Sequence, residues 1–192
     1  MPLSFDEIFR IATGNAPYPY QRSLARDGLP ELVEVPTGLG KTLATVTAWL
    51  YRRRFHDDAS VRAATARRLV FVLPMRVLVE QTEDVARHVL QNLGLTEAVH
   101  VHVLMGGEPM GGRKGSRDWR DDLDSDSIII GTLDMIISRC LNRGYGESRY
   151  LWPIDFGLLN SGSHFIFDEV QRDQYSSGKS AHARRMPSRI AR

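Results

Sequence analysis

Leu32-Val33-Glu34-Val35-Pro36-Thr37-Gly38-Leu39-Gly40-Lys41-Thr42 is the stretch on which the reading of this chain turns. A short apolar run enters a Gly-rich turn, Gly-Lys-Thr follows, and apolar residues then recur at helical spacing. Strand, Gly-rich turn, Gly-Lys-Thr and helix, in that order, are the layout of a phosphate-binding loop. Glycine lets the backbone curl until several N–H groups point at one anion. The following helix adds its own free N–H groups and the positive end of its dipole. Pro36, Thr37, Gly38, Leu39, Gly40, Lys41 and Thr42 are therefore the expected phosphate contacts. Lys41 is expected to reach the β- and γ-phosphates, and the Thr42 hydroxyl to hold Mg²⁺. The strict pattern asks for glycine where Val35 stands. A coincidental Gly-rich turn is the alternative, and the position between strand and helix argues against it.

Outward from the loop, the chain alternates two kinds of pattern. Upstream, Ser4 is a candidate N-cap for a helix with Phe5, Ile8, Phe9 and Ala12 on one face. Pro17 and Pro19 hold an extended turn, and Gln21 opens a second helix. An amide can pair with the N6/N7 edge of adenine, so Gln21 is a candidate base contact, with a plain helix-surface glutamine as the alternative. Downstream, the helix after the loop is expected to run from Lys41 to Phe55. Leu69–Leu73 is a continuous apolar run, as in a strand buried on both faces of a parallel sheet. Pro74 to Gln81 opens a helix with Leu78, Val85, Val89 and Leu93 on one face and Gly94 at its end. Val99–Leu104 alternates with His100 and His102 and reads as a strand. Ser127–Thr132 is a strand leading into a helix, and Leu158-Leu159 belongs to a short helix. This alternation predicts an α/β fold, a parallel sheet flanked by helices.

His164-Phe165-Ile166-Phe167 is the last predicted strand, and it ends in Asp168-Glu169-Val170-Gln171. Acidic residues at the C-terminal end of such a strand point into the crevice where α/β sheets bind ligands. Asp168 is the expected Mg²⁺ ligand. Glu169 is the expected base for a water attacking the γ-phosphate.

Composition sets the bounds. The 192 residues suggest one domain or part of a larger one, and the net charge of +2 is too small to name a partner. Its distribution says more: after Gln171 six Lys and Arg residues face Asp173 alone, a net +5, leaving −3 on the rest. Cys140 is the single cysteine, so neither an internal disulfide nor a Cys-based zinc site is available. Phe5-Asp6-Glu7 interrupts any signal-peptide pattern, and no run approaches the ~18 apolar residues of a membrane span. A reducing cytoplasm is the expected compartment. His56-Asp57 has no companion ligand cluster for a metal-dependent nuclease. His100 and His102 read as one face of a strand before they read as metal ligands. Asp155-Phe156-Gly157 spells a kinase motif, but the kinase Gly-rich loop and His-Arg-Asp are missing.

Taken together, Pro19-Tyr20-Gln21, VPTGLGKT, PMRVLVEQ, Met105-Gly106-Gly107, Gly131-Thr132-Leu133-Asp134 and Asp168-Glu169-Val170-Gln171 resemble the first motor domain of a superfamily 2 DExD/H-box helicase. Met75 and Val77 depart from the family's Pro-Thr-Arg-Glu-Leu motif, and Gln171 replaces the His of DExH. ATG…PYPYQ, IIIGTLDMI and DEVQ are most similar to the CRISPR-associated helicases of type I systems, although their DNA-cutting HD domain is not visible here. The resemblance implies a P-loop NTPase of RecA-like fold that uses ATP and Mg²⁺. It implies a nucleic-acid partner, single-stranded DNA in that subgroup, a CRISPR effector complex, and a second RecA-like domain carrying arginine fingers. It places Arg76, Gly106, Gly107, Thr132 and Asp134 along the nucleic-acid backbone, where close approach, N–H groups and a guanidinium suit phosphate oxygens. Residues 1–171 then form an incomplete N-terminal RecA-like ATP-binding domain, and 172–192 a basic tail too polar to order itself. The resemblance also puts a Ser-Ala-Thr-like strand between the loop strand and the Asp168 strand. No apolar run after Gln171 could supply it, so the chain reads as truncated. A binding module without turnover and a non-functional remnant remain alternatives to the motor.

Overall fold

The computed structural model describes residues 3–36, 38–106, 118–121 and 125–168. Thr37, Gly107, Glu169 and the tail 172–192 lie outside the described residues. Four parallel strands form one sheet: β1 (Arg68–Leu73), β2 (Val99–Leu104), β3 (Asp126–Thr132) and β4 (Ser163–Phe167), in the order β2-β3-β1-β4. Leu73 pairs with Thr132 and Leu104 with Gly131, so β1, β2 and β3 end at the same level.

Alternate side chains of each strand enter opposite layers. Leu69, Phe71, Ile128 and Ile130 meet α3 (Lys41–Leu50) and α5 (Arg76–Asn92) through Val46, Trp49, Leu50, Val79, Ala86 and Val89. Val70, Val72 and Ile129 face the other way, toward Trp119, Ile136 of α6 (Leu133–Cys140) and Leu159 of α7 (Trp152–Asn160). A third cluster packs α1 (Phe5–Thr13) and α2 (Pro19–Asp27) on α3 through Phe5, Phe9, Leu24 and Ala48. The result is a three-layer α/β domain, a parallel sheet with helices on both faces, as in the RecA-like P-loop architecture.

Local chemistry explains several boundaries. Ser4 and Glu7 form a capping box at the start of α1, and Gly14 closes it in the left-handed region at φ 75°. Asp58 caps the short α4 (Ala59–Ala64) by accepting from the Ser60 N–H, which gives the His56-Asp57-Asp58 turn a structural use. The helix expected to reach Phe55 does so, but its last turn, Tyr51–Phe55, is π-helical.

One predicted strand does not form. Leu32 to Pro36 carries no sheet pairing, and Leu32 is 61% exposed. A strand needs a hydrogen-bonded neighbour, and no described strand lies beside this run. β4 pairs with β1 on one side, and on its other side no described strand follows it. Phe167 there is 49% exposed. The apolar face read on α5 also shifts: Val79, Ala86, Val89 and Leu90 are buried, whereas Leu78 and Val85 are half-buried.

Two buried charge clusters tie the layers. Asp126, the first residue of β3, receives Arg53 at 2.8 Å and Arg54 at 2.7 Å from the π-helical turn. Arg54 also donates to the Ala98 carbonyl before β2 at 2.6 Å, and Arg53 to the Arg62 carbonyl at 2.8 Å. On the other face, Arg120 meets Asp155 at 2.6 Å and Glu147 at 2.9 Å, and Arg139 meets the same two carboxylates at 3.1 and 2.9 Å. Asp155, of the Asp-Phe-Gly triplet, is fully buried here, so its role is to anchor residue 120 against α6 and α7. Burial works against the Arg120 charge, the bonds from Asp155 and Glu147 outweigh it, and the guanidinium is held above its ordinary range.

Gly131 is where β3 runs tightest. A Cβ there would stand 2.7 Å from the Leu104 carbonyl oxygen and 2.9 Å from Ile136 Cδ1. Gly131→Ala is expected to cost about 1–3 kcal/mol as an overpacked core position. Urea denaturation followed by circular dichroism checks this, and an unshifted midpoint would contradict the close approach.

Candidate nucleotide site and nucleic-acid face

The loop ahead of α3 lies at the sheet edge where the strands end. Gly38 and Gly40 take φ of +84° and +74°, in the left-handed region that a Cβ disfavours, so both glycines are required by conformation. Gly40 is the N-cap of α3 and offers no side-chain cap, and the helix begins at Lys41. Gly38, Gly40, Lys41 and Thr42 line a cavity of about 840 Å³ together with Leu73 and Asp168. Such a volume is within the range of small-molecule sites. Pro36 and Leu39 are exposed beside it, and Thr37 lies outside the described residues.

The residues fit a nucleoside triphosphate and a divalent cation. A lysine cation and the N–H groups of an uncapped helix suit phosphate oxygens. A hydroxyl and a carboxylate are the hard oxygen donors that Mg²⁺ takes. Lys41 and Asp168 stand 127 positions apart in the chain and line the same cavity. Glu169 lies outside the described residues.

Gln21 stands beside the loop rather than in the wall of this cavity. It is buried to 2% exposure and does not line the cavity. Its Oε1 accepts from the Tyr18 N–H at 2.9 Å, and its Nε2 donates to Tyr20 Oη at 3.2 Å. A Cβ on Gly40 would stand 3.7 Å from that Nε2. Tyr20 Oη in turn donates to the Leu39 carbonyl of the loop at 2.6 Å. Burial raises the Tyr20 phenol pKa, which keeps it a donor across the neutral range. In the sequence Tyr20 is part of Pro19-Tyr20-Gln21, with no role of its own. Its signal was its place beside Gln21, but an aromatic in an amphipathic helix reads as packing.

The second set of candidates gathers at the same edge. Arg76 opens α5 just past β1, Gly106 follows β2, and Thr132 ends β3, with exposed Asp134 in the first turn of α6. Arg76 Nη2 donates to the Gly106 carbonyl at 2.5 Å, joining two of them directly. Gly107 lies outside the described residues. The three helices that begin here, α3, α5 and α6, lack side-chain N-caps, as does α7, whereas α1 and α4 are capped by Ser4 and Asp58. Met75, where a threonine was expected from the resemblance, is why α5 is uncapped. Helix starts without side-chain caps leave N–H groups available to anions. Among the described residues no cluster of His, Cys, Asp and Glu could hold a metal ion by itself, so His100 and His102 have no metal companions there. No described helix is long and apolar enough to cross a membrane.

Removing the Tyr20 hydroxyl tests the tie between α2 and the loop. Tyr20→Phe keeps the ring and leaves the Leu39 carbonyl without this donor. Losing one such bond is worth about 0.5–1.5 kcal/mol, so ATP affinity by calorimetry should weaken by about two- to tenfold. Unchanged affinity would mean that the loop holds its shape without Tyr20.

A comparison with curated proteins finds no match. The family model for the DEAD/DEAH box helicases matches residues 18–191, a span that takes in the loop, the strand ends and Asp168. With nine-tenths of its length so matched, the chain belongs to the DEAD/DEAH box helicase family.

Proposed function

We propose that the chain is the first motor domain of an ATP-dependent helicase or translocase, with ATP–Mg²⁺ between the phosphate loop and Asp168. The observation that carries this reading is the meeting of Lys41, Thr42 and Asp168 around one cavity at the sheet edge that also presents Arg76, Gly106 and Thr132. Loop N–H groups and Lys41 bind the β- and γ-phosphates. Thr42 and Asp168 hold the cation, which when bound neutralises charge developing on the transferred phosphoryl group. Glu169 orients the attacking water and takes its proton. Arg76, Gly106, Gly107, Thr132 and Asp134 follow the strand backbone, so contact with nucleic acid and with nucleotide meet across the ends of the same strands.

The finer reading is a role in type I CRISPR interference. PYPYQ, IIIGTLDMI and the DEVQ form of the acidic motif support it. Single-stranded DNA is then the track, a CRISPR effector complex the partner, the cytoplasm the compartment, and a second RecA-like domain the source of the arginine fingers. Residues 1–171 are the ATP-binding domain in this reading, and 172–192 a basic extension.

Phosphate release with and without single-stranded DNA tests the motor directly: DNA should stimulate it, and binding without turnover would favour a passive clamp. Lys41→Ala should abolish productive ATP binding measured by calorimetry. Glu169→Gln should keep ATP and Mg²⁺ binding while kcat falls by about 10²-fold or more, because the amide keeps the shape and removes the base. Normal turnover in Glu169→Gln would exclude it as the base.

A further inference from the structure

Helix α7 carries a single charge, Asp155, and that carboxylate points inward to Arg120 and Arg139. Leu159 is fully buried on the same side. With 3.6 residues per turn, the exposed positions Pro153, Ile154, Phe156, Gly157 and Asn160 fall together on the opposite side. A surface helix normally sets charged and polar residues toward water. Here the solvent side is apolar except for Asn160, and Asn160 Nδ2 already donates to the Cys140 and Phe156 carbonyls at 3.2 and 2.9 Å. Leu141, 67% exposed, follows directly on that junction, and Tyr150, 88% exposed, precedes the other end of the helix. Gly157 adds a second, independent observation. It stands inside the helix, where glycine is less stable than alanine. Its φ is not in the left-handed region, and a Cβ on it would meet nothing within 4 Å. Among the described residues, then, neither backbone conformation nor packing requires a glycine there. It leaves an open notch flanked on the helix surface by Pro153, Ile154 and Asn160.

The charges around this face choose its occupant. Between residues 141 and 162 the acidic side chains, Glu147 and Asp155, are turned inward to Arg120 and Arg139, whereas Arg143 and Arg149 are exposed. Arg149 lies over the ring of Trp152, the first residue of α7, at 5.9 Å, so its charge stands at the edge of the face. Two copies of this chain packed through α7 would bring like charges together. A nucleic-acid strand would set phosphates against Pro153, Ile154 and Phe156, whose side chains offer no donor. We propose that the outer face of α7 is a docking site for a helix of another protein, apolar along its contact stripe and flanked by Asp or Glu. A helix presents such a stripe in a straight line, and the Gly157 notch lets its backbone come close. The buried ionic cluster under Asp155 holds α7 in place beforehand, so the face is preformed. This inference stands apart from the nucleotide reading.

Fluorescence anisotropy with two labelled amphipathic helical peptides tests this on the whole chain. Both carry the same Leu–Ala stripe, flanked by Glu in one and by Lys in the other. The Glu peptide should bind about tenfold tighter or better, and the margin should shrink as salt rises. Gly157→Gln fills the notch and should weaken the Glu peptide about tenfold. Its melting temperature should hold or rise, because glutamine favours a helix where glycine does not. Should that variant melt lower, Arg149→Glu decides, since the residue is exposed: it should abolish the margin between the peptides. Equal affinity of the parent chain for both peptides, or parent-like discrimination in Arg149→Glu, overturns the proposal, as does parent-like binding in a stably folded Gly157→Gln. A dimer seen by sedimentation and dissociated by Gly157→Gln would give the face to a second copy and overturn it. Displacement of the Glu peptide by a single-stranded oligonucleotide would give the face to nucleic acid and overturn it equally.

Discussion

The parallel pairing of β1 with β3 and β4 fixes where every polar group of the site can stand. Parallel strands send all their C-terminal ends to one edge, and the register leaves no slack: Leu73 is opposite Thr132, and Val72 is opposite Phe167. Asp168 must then emerge one residue beyond Phe167, beside Leu73, and both line the candidate nucleotide cavity. A slip of one residue in β4 would turn Phe165, which packs on the α6–α7 side, to the opposite face and displace the carboxylate. Apolar burial enforces this register. Leu69 to Leu73 are almost completely buried on alternate faces, so neither face of β1 tolerates the wrong partner.

Helix α3 is held at both ends by different physics. Its C-terminal extension is pinned by ionic bonds from Arg53 and Arg54 to buried Asp126 and by donors to the Arg62 and Ala98 carbonyls. Removing one partner from such a cluster strands buried charge, which is why it specifies position strongly even where its net stabilisation is modest. At the N-terminal end Tyr20 Oη donates to the Leu39 carbonyl, and buried Ala44 packs against α1 and α2. The π-helical turn belongs to the rigid end: it supplies Arg52 to the Ala25 and Arg26 carbonyls, Arg53 to Asp126 and Arg54 to Ala98.

Four of the five strands read from the sequence are present, because a continuous apolar run such as Leu69–Leu73 says both strand and burial. Leu32-Val33-Glu34-Val35 has the same local character and is not paired, because a ladder depends on a neighbour that local sequence does not contain. The loop glycines were legible since their positive φ follows from a backbone requirement. Asp168 was legible from the strand before it. The bonds of Gln21 with Tyr18 and Tyr20 were not, because an amide that could read adenine is chemically the same as an amide that accepts from Tyr18 and donates to Tyr20. Leu78 and Val85 have the spacing of core residues, and only the packing of α5 against α1 and α3 leaves them half-covered. The clusters around Asp126 and Asp155 were invisible for a similar reason. Each joins residues far apart in the chain, Arg53 with Asp126 and Arg120 with Asp155, and no spacing rule links them.

The candidate nucleotide cavity and the candidate nucleic-acid face meet at the C-terminal end of β1. The Asp168 N–H donates to the Val72 carbonyl at 3.3 Å, so the carboxylate strand is tied to β1 one residue before Leu73 lines the cavity. Three residues after Leu73 comes Arg76, which reaches the Gly106 carbonyl beyond β2. No hinge of glycine or long loop interrupts this path: Pro74 and Met75 are the only residues between β1 and α5. A displacement of Asp168 or Leu73 by ligand therefore meets Pro74 and the start of α5 within one turn of backbone, and proline's fixed φ resists absorbing it locally. The same helix α5 carries Leu78 and Val85 on the cavity wall and Arg76 in its first turn. Leu73 on one candidate surface and Arg76 on the other thus belong to one β1–α5 unit, three residues apart.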